Sequence, residues 1–137
     1  MRYHIGETAE VSRVISETDI IHFAEISGDH NPVHIDEIEA KNSIFGQRIA
    51  HGFLVGSIIS NVIGMQLPGP GTIYMEQNLK FKKPVFIGDT ITAHVEISEI
   101  INEKKNIFRL STSVVNQDDM TVIDGYAIVK APEGEAE

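Results

Sequence analysis

An α+β fold, with an antiparallel sheet wrapped around one long buried helix, is predicted for this 137-residue chain by three features. From Gly52 to about Gln66 the sequence is apolar nearly all round, which marks a helix buried on most sides. The breaker LPGPG, Leu67 to Gly71, ends it. Beyond the breaker, apolar and polar residues alternate with period two, as in half-buried strands. Runs of strand kept apart from runs of helix define the α+β class.

The elements follow in order. Glu7 to Ile15 alternates weakly and reads as an opening strand. Ser16 or Thr18 caps a helix over Asp19 to Ser27, with Ile20, Phe23 and Ala24 on one face. Gly28 to Asp36 reads as a turn, and the polar segment through Glu39 and Lys41 as a short helix. Phe45 to Ala50 leads into His51-Gly52, where the long helix begins. His51 is read as the residue ahead of that helix, with no chemical role. Gly56, Ser57, Ser60, Asn61 and Gly64 form a small-and-polar stripe on one side, with Leu54, Ile58, Val62 and Met65 on another. Such a stripe admits either a ligand or a closely packed backbone, and the sequence leaves both open. Strands are expected over Met75 to Phe81, Ile91 to Ile97, Phe108 to Val115 and Met120 to Val129. Turns are expected at Gly88-Asp89, Asn102 to Lys105 and Gln117 to Asp119. One domain over residues 1–132 accounts for the pattern, and the acidic tail, 133–137, is expected to be disordered.

Composition excludes several classes. A net charge of −9 disfavours nucleic-acid binding, which depends on neutralising phosphates. With no cysteine there is no thiolate or disulfide chemistry. No apolar run is long enough to cross a bilayer, and MRYHIGETAE has no apolar signal region, so a cytoplasmic protein without a membrane partner is expected. Lys80, Lys82, Lys83, Lys104 and Lys105 are five of the eleven Lys and Arg residues. They are either solvated strand and turn residues or a patch for a phosphorylated coenzyme.

The densest chemistry lies in FAEISGDHNPVHIDEIEA, Phe23 to Ala40. Asp29 and His34 sit five apart, with Asn31 and Pro32 between them. A carboxylate and an imidazole brought together can activate or deliver a water by general acid–base catalysis. Pro32 removes a backbone donor and keeps Asn31 out of helical angles, so the pair is expected on a loop. Asp, Asn, Gly and Pro also make any surface turn, and that reading stands beside the catalytic one. His30, His34 and Asp36 raise a metal site. Pro32 opposes the helical turn that would align the two imidazoles, and there is no Cys or HExxH frame, so no metal is expected.

The turn and helix together resemble the MaoC-like, (R)-specific enoyl-CoA hydratase family. The motif residues are Phe23, Ile26, Ser27, Gly28, Asp29, Asn31, Pro32, His34 and Ala40. Two later blocks match as well: IAHGFLVGSIIS at Ile49 to Ser60, and QLPGPGTIYMEQNLKFKKPVFIGD at Gln66 to Asp89. The resemblance implies a hot-dog fold, a homodimer and reversible hydration of trans-2-enoyl-CoA to (R)-3-hydroxyacyl-CoA, with no cofactor. It implies that Asp29 and His34 activate the water and that Gly52 N–H serves as oxyanion donor. Asn31 would brace the turn, and Ser60 would line the pocket and position the catalytic groups. Lys80, Lys82 and Lys83 are the candidate coenzyme-binding residues. Rival readings are a dehydratase acting on acyl carrier protein, a hot-dog thioesterase, and a non-catalytic acyl-binding module.

Overall fold

The computed structural model describes residues 2–133; most of the acidic tail, 134–137, lies outside them. Strand β1 (Thr8–Val14) leads into helix α1 (Glu17–Ser27). Ser16, not Thr18, is the cap. Its hydroxyl accepts from Asp19 N–H while the Asp19 carboxylate accepts from Ser16 N–H, a reciprocal box that satisfies two free donors. The helix ends at Gly28 with φ 78°, a left-handed cap that glycine adopts without strain.

Two short helices follow, α2 (Pro32–Ile35) and α3 (Glu37–Lys41). The first corrects the expectation of a continuous loop. Pro32 starts a helical turn rather than preventing one, because the first helical position needs no N–H donor. Asn31 caps it by accepting from Val33 N–H, and Asp36 caps α3 through Ile38 and Glu39 N–H.

Helix α4 (Gly52–Met65) runs along one face of a sheet formed by β1, β2 (Ile73–Phe81), β3 (Thr90–Asn102), β4 (Ile107–Val115) and β5 (Thr121–Lys130). Every pairing is antiparallel and the strand order is β1-β3-β4-β5-β2. Only β3 to β5 form a sequential meander. Strand β2 lies at the far edge beside β5, so the chain passing Gly88-Asp89 crosses the sheet instead of closing a hairpin. The core joins Ile59, Val62 and Ile63 of α4 to Ile91, Val95 and Leu110 of the sheet. This is the hot-dog arrangement. Among the described residues no helix is long and apolar enough to cross a membrane.

Helix α4 is not buried all round. Phe53, Ser57, Ser60, Asn61 and Met65 are exposed along one face. Gly56 of the small-residue stripe and Gly52 ahead of it serve helix–sheet packing, while Gly64 faces open space. A Cβ on Gly52 would lie 2.6 Å from the Phe81 ring, and one on Gly56 would lie 3.1 Å from Leu79 Cδ1. Inward side chains of β2 therefore lie directly on the helix backbone, which explains why these positions are small.

Candidate active site

Three segments converge at the N-terminus of α4: the turn after α1, the single helical turn α2, and the approach from Arg48 to His51. Asp29 follows the Gly28 cap. Its N–H donates to Ser27 Oγ at 3.1 Å and its Oδ1 accepts from Asn31 N–H at 3.1 Å, leaving the carboxylate exposed. His34 is buried on α2, and its Nδ1 is 2.8 Å from the Ile49 carbonyl. A carbonyl only accepts, so Nδ1 bears a proton, and Nε2 is the ring nitrogen left for other partners.

The segment carrying Ile49 is itself fixed. Arg48, only 7% exposed, donates from Nε to the His34 carbonyl at 2.7 Å and from Nη1 to Glu17 at 2.8 Å. Ile49 N–H donates to the Val33 carbonyl, and Ala50 N–H to that of Val85. One buried guanidinium thus ties α1 and α2 to the strand of chain entering α4.

His51 is 2% exposed and packs between two rings. It stacks on His34 with centroids 3.9 Å apart and planes at 27°, and lies 4.9 Å from Phe23. Its Nε2 is 2.9 Å from the Asp29 carbonyl. Burial pushes the His51 imidazole below its ordinary range, so the neutral ring is favoured. Nitrogen and carboxylate atoms of Asp29, His34 and His51 all lie within 4.8 Å of one another. His51 makes no side-chain cap for α4, so its side chain does not take up the first-turn amides there, Gly52 N–H among them.

These residues bound a cavity of about 380 Å³, together with Phe23, Ser27, Gly52 and Phe53. A second cavity of about 430 Å³ shares Gly52 and Phe53 with it and is otherwise lined by Phe45, Ile49, Phe81, Pro84, Lys82 and Lys83. Asp29, His34, Asn31 and Gly52 are thus brought together, with Lys82 and Lys83 in the adjoining space. Lys80 is not. Leu79 and Phe81 face α4, and alternation along the strand turns Lys80 to the opposite face, in register with Asp124. Lys104 and Lys105 lie in the β3–β4 turn. Ser60 is exposed on α4, about 12 Å along the axis from Gly52, and lines neither cavity.

The sequence-level metal trio does not assemble. His30 Nδ1 lies against the Gly28 carbonyl, and Asp36 is occupied in capping α3. The cluster that does assemble, Asp29 with His34 and His51, is poorly shaped for an ion. A metal sits in the plane of each imidazole that binds it, and two rings stacked at 3.9 Å do not aim their lone pairs at one point. Sequence reasoning missed His51 and Arg48. The one available signal was an imidazole immediately before a helix with no capping side chain.

The site thus sets a carboxylate and two imidazoles at the N-terminus of the long helix of a hot-dog fold, groups able to donate and accept protons. Comparison with known proteins specifies the group. The model of the MaoC like domain matches residues 4–119. An (R)-specific enoyl-CoA hydratase of Rhodospirillum rubrum is 47% identical over 128 residues, 93% of this chain and 87% of that protein. A 3-hydroxybutyryl-CoA dehydratase of Methylorubrum extorquens is 44% identical over 131 residues, 96% of this chain and 82% of that one. The solved (R)-hydratase from A. caviae involved in PHA biosynthesis superposes with a TM-score of 0.92 at 39% identity, covering 96% of this chain and 98% of that one. The chain belongs to the MaoC-like domain family.

Proposed function

We propose that this protein is an (R)-specific enoyl-CoA hydratase, and in reverse a 3-hydroxyacyl-CoA dehydratase, working as a single cytoplasmic domain over residues 1–132 without a cofactor. The observation that carries the reading is the contact of His34 Nδ1 with the Ile49 carbonyl, which leaves Nε2 turned toward Asp29. With Nδ1–H committed to the Ile49 carbonyl, Nε2 is a base beside the Asp29 carboxylate. A water held between them gives up a proton as its oxygen bonds to C3 of the enoyl thioester. A proton is returned at C2, and between these events negative charge builds on the thioester oxygen. Gly52 N–H, at the positive end of α4, is the donor for that charge. One such donor contributes on the order of 3 kcal/mol.

Asn31 holds the turn through its cap on α2. Lys82 and Lys83, lining the adjoining cavity, are the groups placed to receive coenzyme phosphates. A role for Lys80 has no support in its position, and the exposed Ser60 requires another surface beside it to take part. The working unit is a homodimer.

The test is turnover of crotonyl-CoA, followed by loss of the enoyl absorbance, with the stereochemistry of the product determined. (R)-3-hydroxybutyryl-CoA is expected; failure to hydrate any enoyl-CoA overturns the reading. Turnover only of enoyl groups on acyl carrier protein would replace the carrier. Asp29→Asn and His34→Gln should each lower turnover by at least roughly a hundredfold. The double variant should be scarcely worse than the poorer single, because both groups serve one water. Near-normal turnover in either single variant would remove this turn from the chemistry.

A further inference from the structure

We infer that His51 is the positioning residue of this site: one ring nitrogen anchors the Asp29 turn, and one ring face fixes the plane of His34. The inference deepens the hydratase reading and rests on it.

His51 Nε2 lies 2.9 Å from the Asp29 carbonyl, and because that oxygen can only accept, Nε2 carries the proton. Nδ1 is then an acceptor. It is buried and has no hydrogen-bond partner among the described residues. A buried acceptor without a partner is unfavourable, and a phenyl ring would fill the same space without that penalty. What imidazole adds over phenyl is the single donor to Asp29. The side chain is thus suited to holding the turn rather than to packing alone.

The ring face does the second task. His34 is held at Nδ1 by Ile49 but remains free to tilt about that one bond. His51, stacked on it at 3.9 Å and backed on its own side by Phe23, leaves little room for the tilt. His34 Nε2 is thereby kept in one direction. His51 also directly precedes Gly52, so one residue links the carboxylate turn, the base and the oxyanion donor. A misplacement of about 1 Å in such a constellation can lower the rate by roughly a hundredfold.

Two variants separate the two tasks. His51→Phe keeps a flat ring and removes the donor; His51→Gln keeps an N–H donor and removes the ring. With crotonyl-CoA, His51→Phe should lower kcat by roughly 10- to 100-fold with KM little changed. The enzyme must bind substrate as before while its reacting groups stand out of place. His51→Gln should retain more of kcat than His51→Ala, since the donor is restored. An unchanged kcat in His51→Phe overturns the inference, as does a loss carried by KM alone. Should His51→Phe fail to fold, the Gln and Ala pair decides, and equal kcat in those two overturns it. Asp29→Asn is assayed beside them. If it is inactive while His51→Phe is normal, only this inference falls; if it is fully active, the hydratase site falls and this inference with it.

Discussion

His51 and His34 present opposite ring nitrogens to backbone carbonyls, Nε2 to Asp29 and Nδ1 to Ile49. For His51, burial favours the neutral ring against the pull of the Asp29 carbonyl. The consequence for stability has a definite sign. The folded value lies below the unfolded one, about 6.5, so the unfolded chain binds more protons as the pH falls. The contribution of a neutral His51 is fully present above about pH 6.5 and is lost as the pH drops through the folded value. Urea unfolding at about pH 7.5 and 5.5 should show wild type losing more stability between the two than His51→Phe does. Histidines remote from this site cancel in that difference, and equal losses would mean that His51 and its contacts carry no such shift. The lysines offer a second residue-scale contrast. Lys82→Ala with Lys83→Ala should raise KM for crotonyl-CoA and leave kcat nearly constant, because the two line a cavity next to the site. Lys80→Ala should change neither, since strand alternation turns it to the other face. A rise in KM for Lys80→Ala alone would show that the coenzyme crosses the opposite face of the sheet.

Elements here are set by local chemistry, while their pairing is set by contacts remote in sequence. Gly125 shows the second kind. A Cβ there would lie 1.9 Å from the Asn78 carbonyl oxygen on the neighbouring strand, and backbone cannot swing aside as a side chain can. Gly125→Ala should cost about 3 kcal/mol in urea unfolding, the upper end of overpacking penalties. Gly64→Ala, with nothing within 4 Å of the added carbon, should instead stabilise by about 0.5–1 kcal/mol. A neutral Gly125→Ala would overturn the close approach of β2 to β5, and a Gly64→Ala that destabilised would show a neighbour at that helix face. The same division explains what could be read beforehand. A cap at Ser16 or Thr18, the extent of α4 and the alternation of the strands are local signals and were legible. The nearness of Asp29 to His34 was legible too, through a motif whose spacing is local, while Gly52 came from a separate block of the sequence. The crossing from β2 to β3 was not, because alternation fixes which face a residue takes but not which strand it meets. His34 on a helical turn was missed because Pro32 was weighed as a breaker, when its place at the first position makes it a starter. His51 and Arg48 were missed because both act through carbonyls of segments distant in sequence, which no side-chain pattern reveals.

The two edges of the sheet differ in a way that bears on the whole molecule. Strand β1 carries Glu10, Ser12 and Arg13 along its length, the polar character that discourages edge pairing. Strand β2 carries Ile73, Met75 and Phe81, each more than half exposed. Among the described residues its backbone groups on the open side have no partner strand. Phe53 on α4 is 68% exposed and lies near Phe81, ring centroids 6.0 Å apart, and both line the cavity next to the Asp29–His34 turn. A second copy placed against β2 by a two-fold axis would pair that edge, cover those rings and close the cavity from its open side. Closure of this kind would exclude bulk water from a reaction that needs one positioned water, so assembly and turnover should be lost together. Sedimentation of the wild type at micromolar concentration should give a dimer. Ile73→Lys with Met75→Lys, which places charge along the edge, should give a folded monomer with strongly reduced hydration of crotonyl-CoA. A stable wild-type monomer with full activity would overturn the dimer. A monomeric variant that hydrates at the wild-type rate would show instead that the site is complete within one chain.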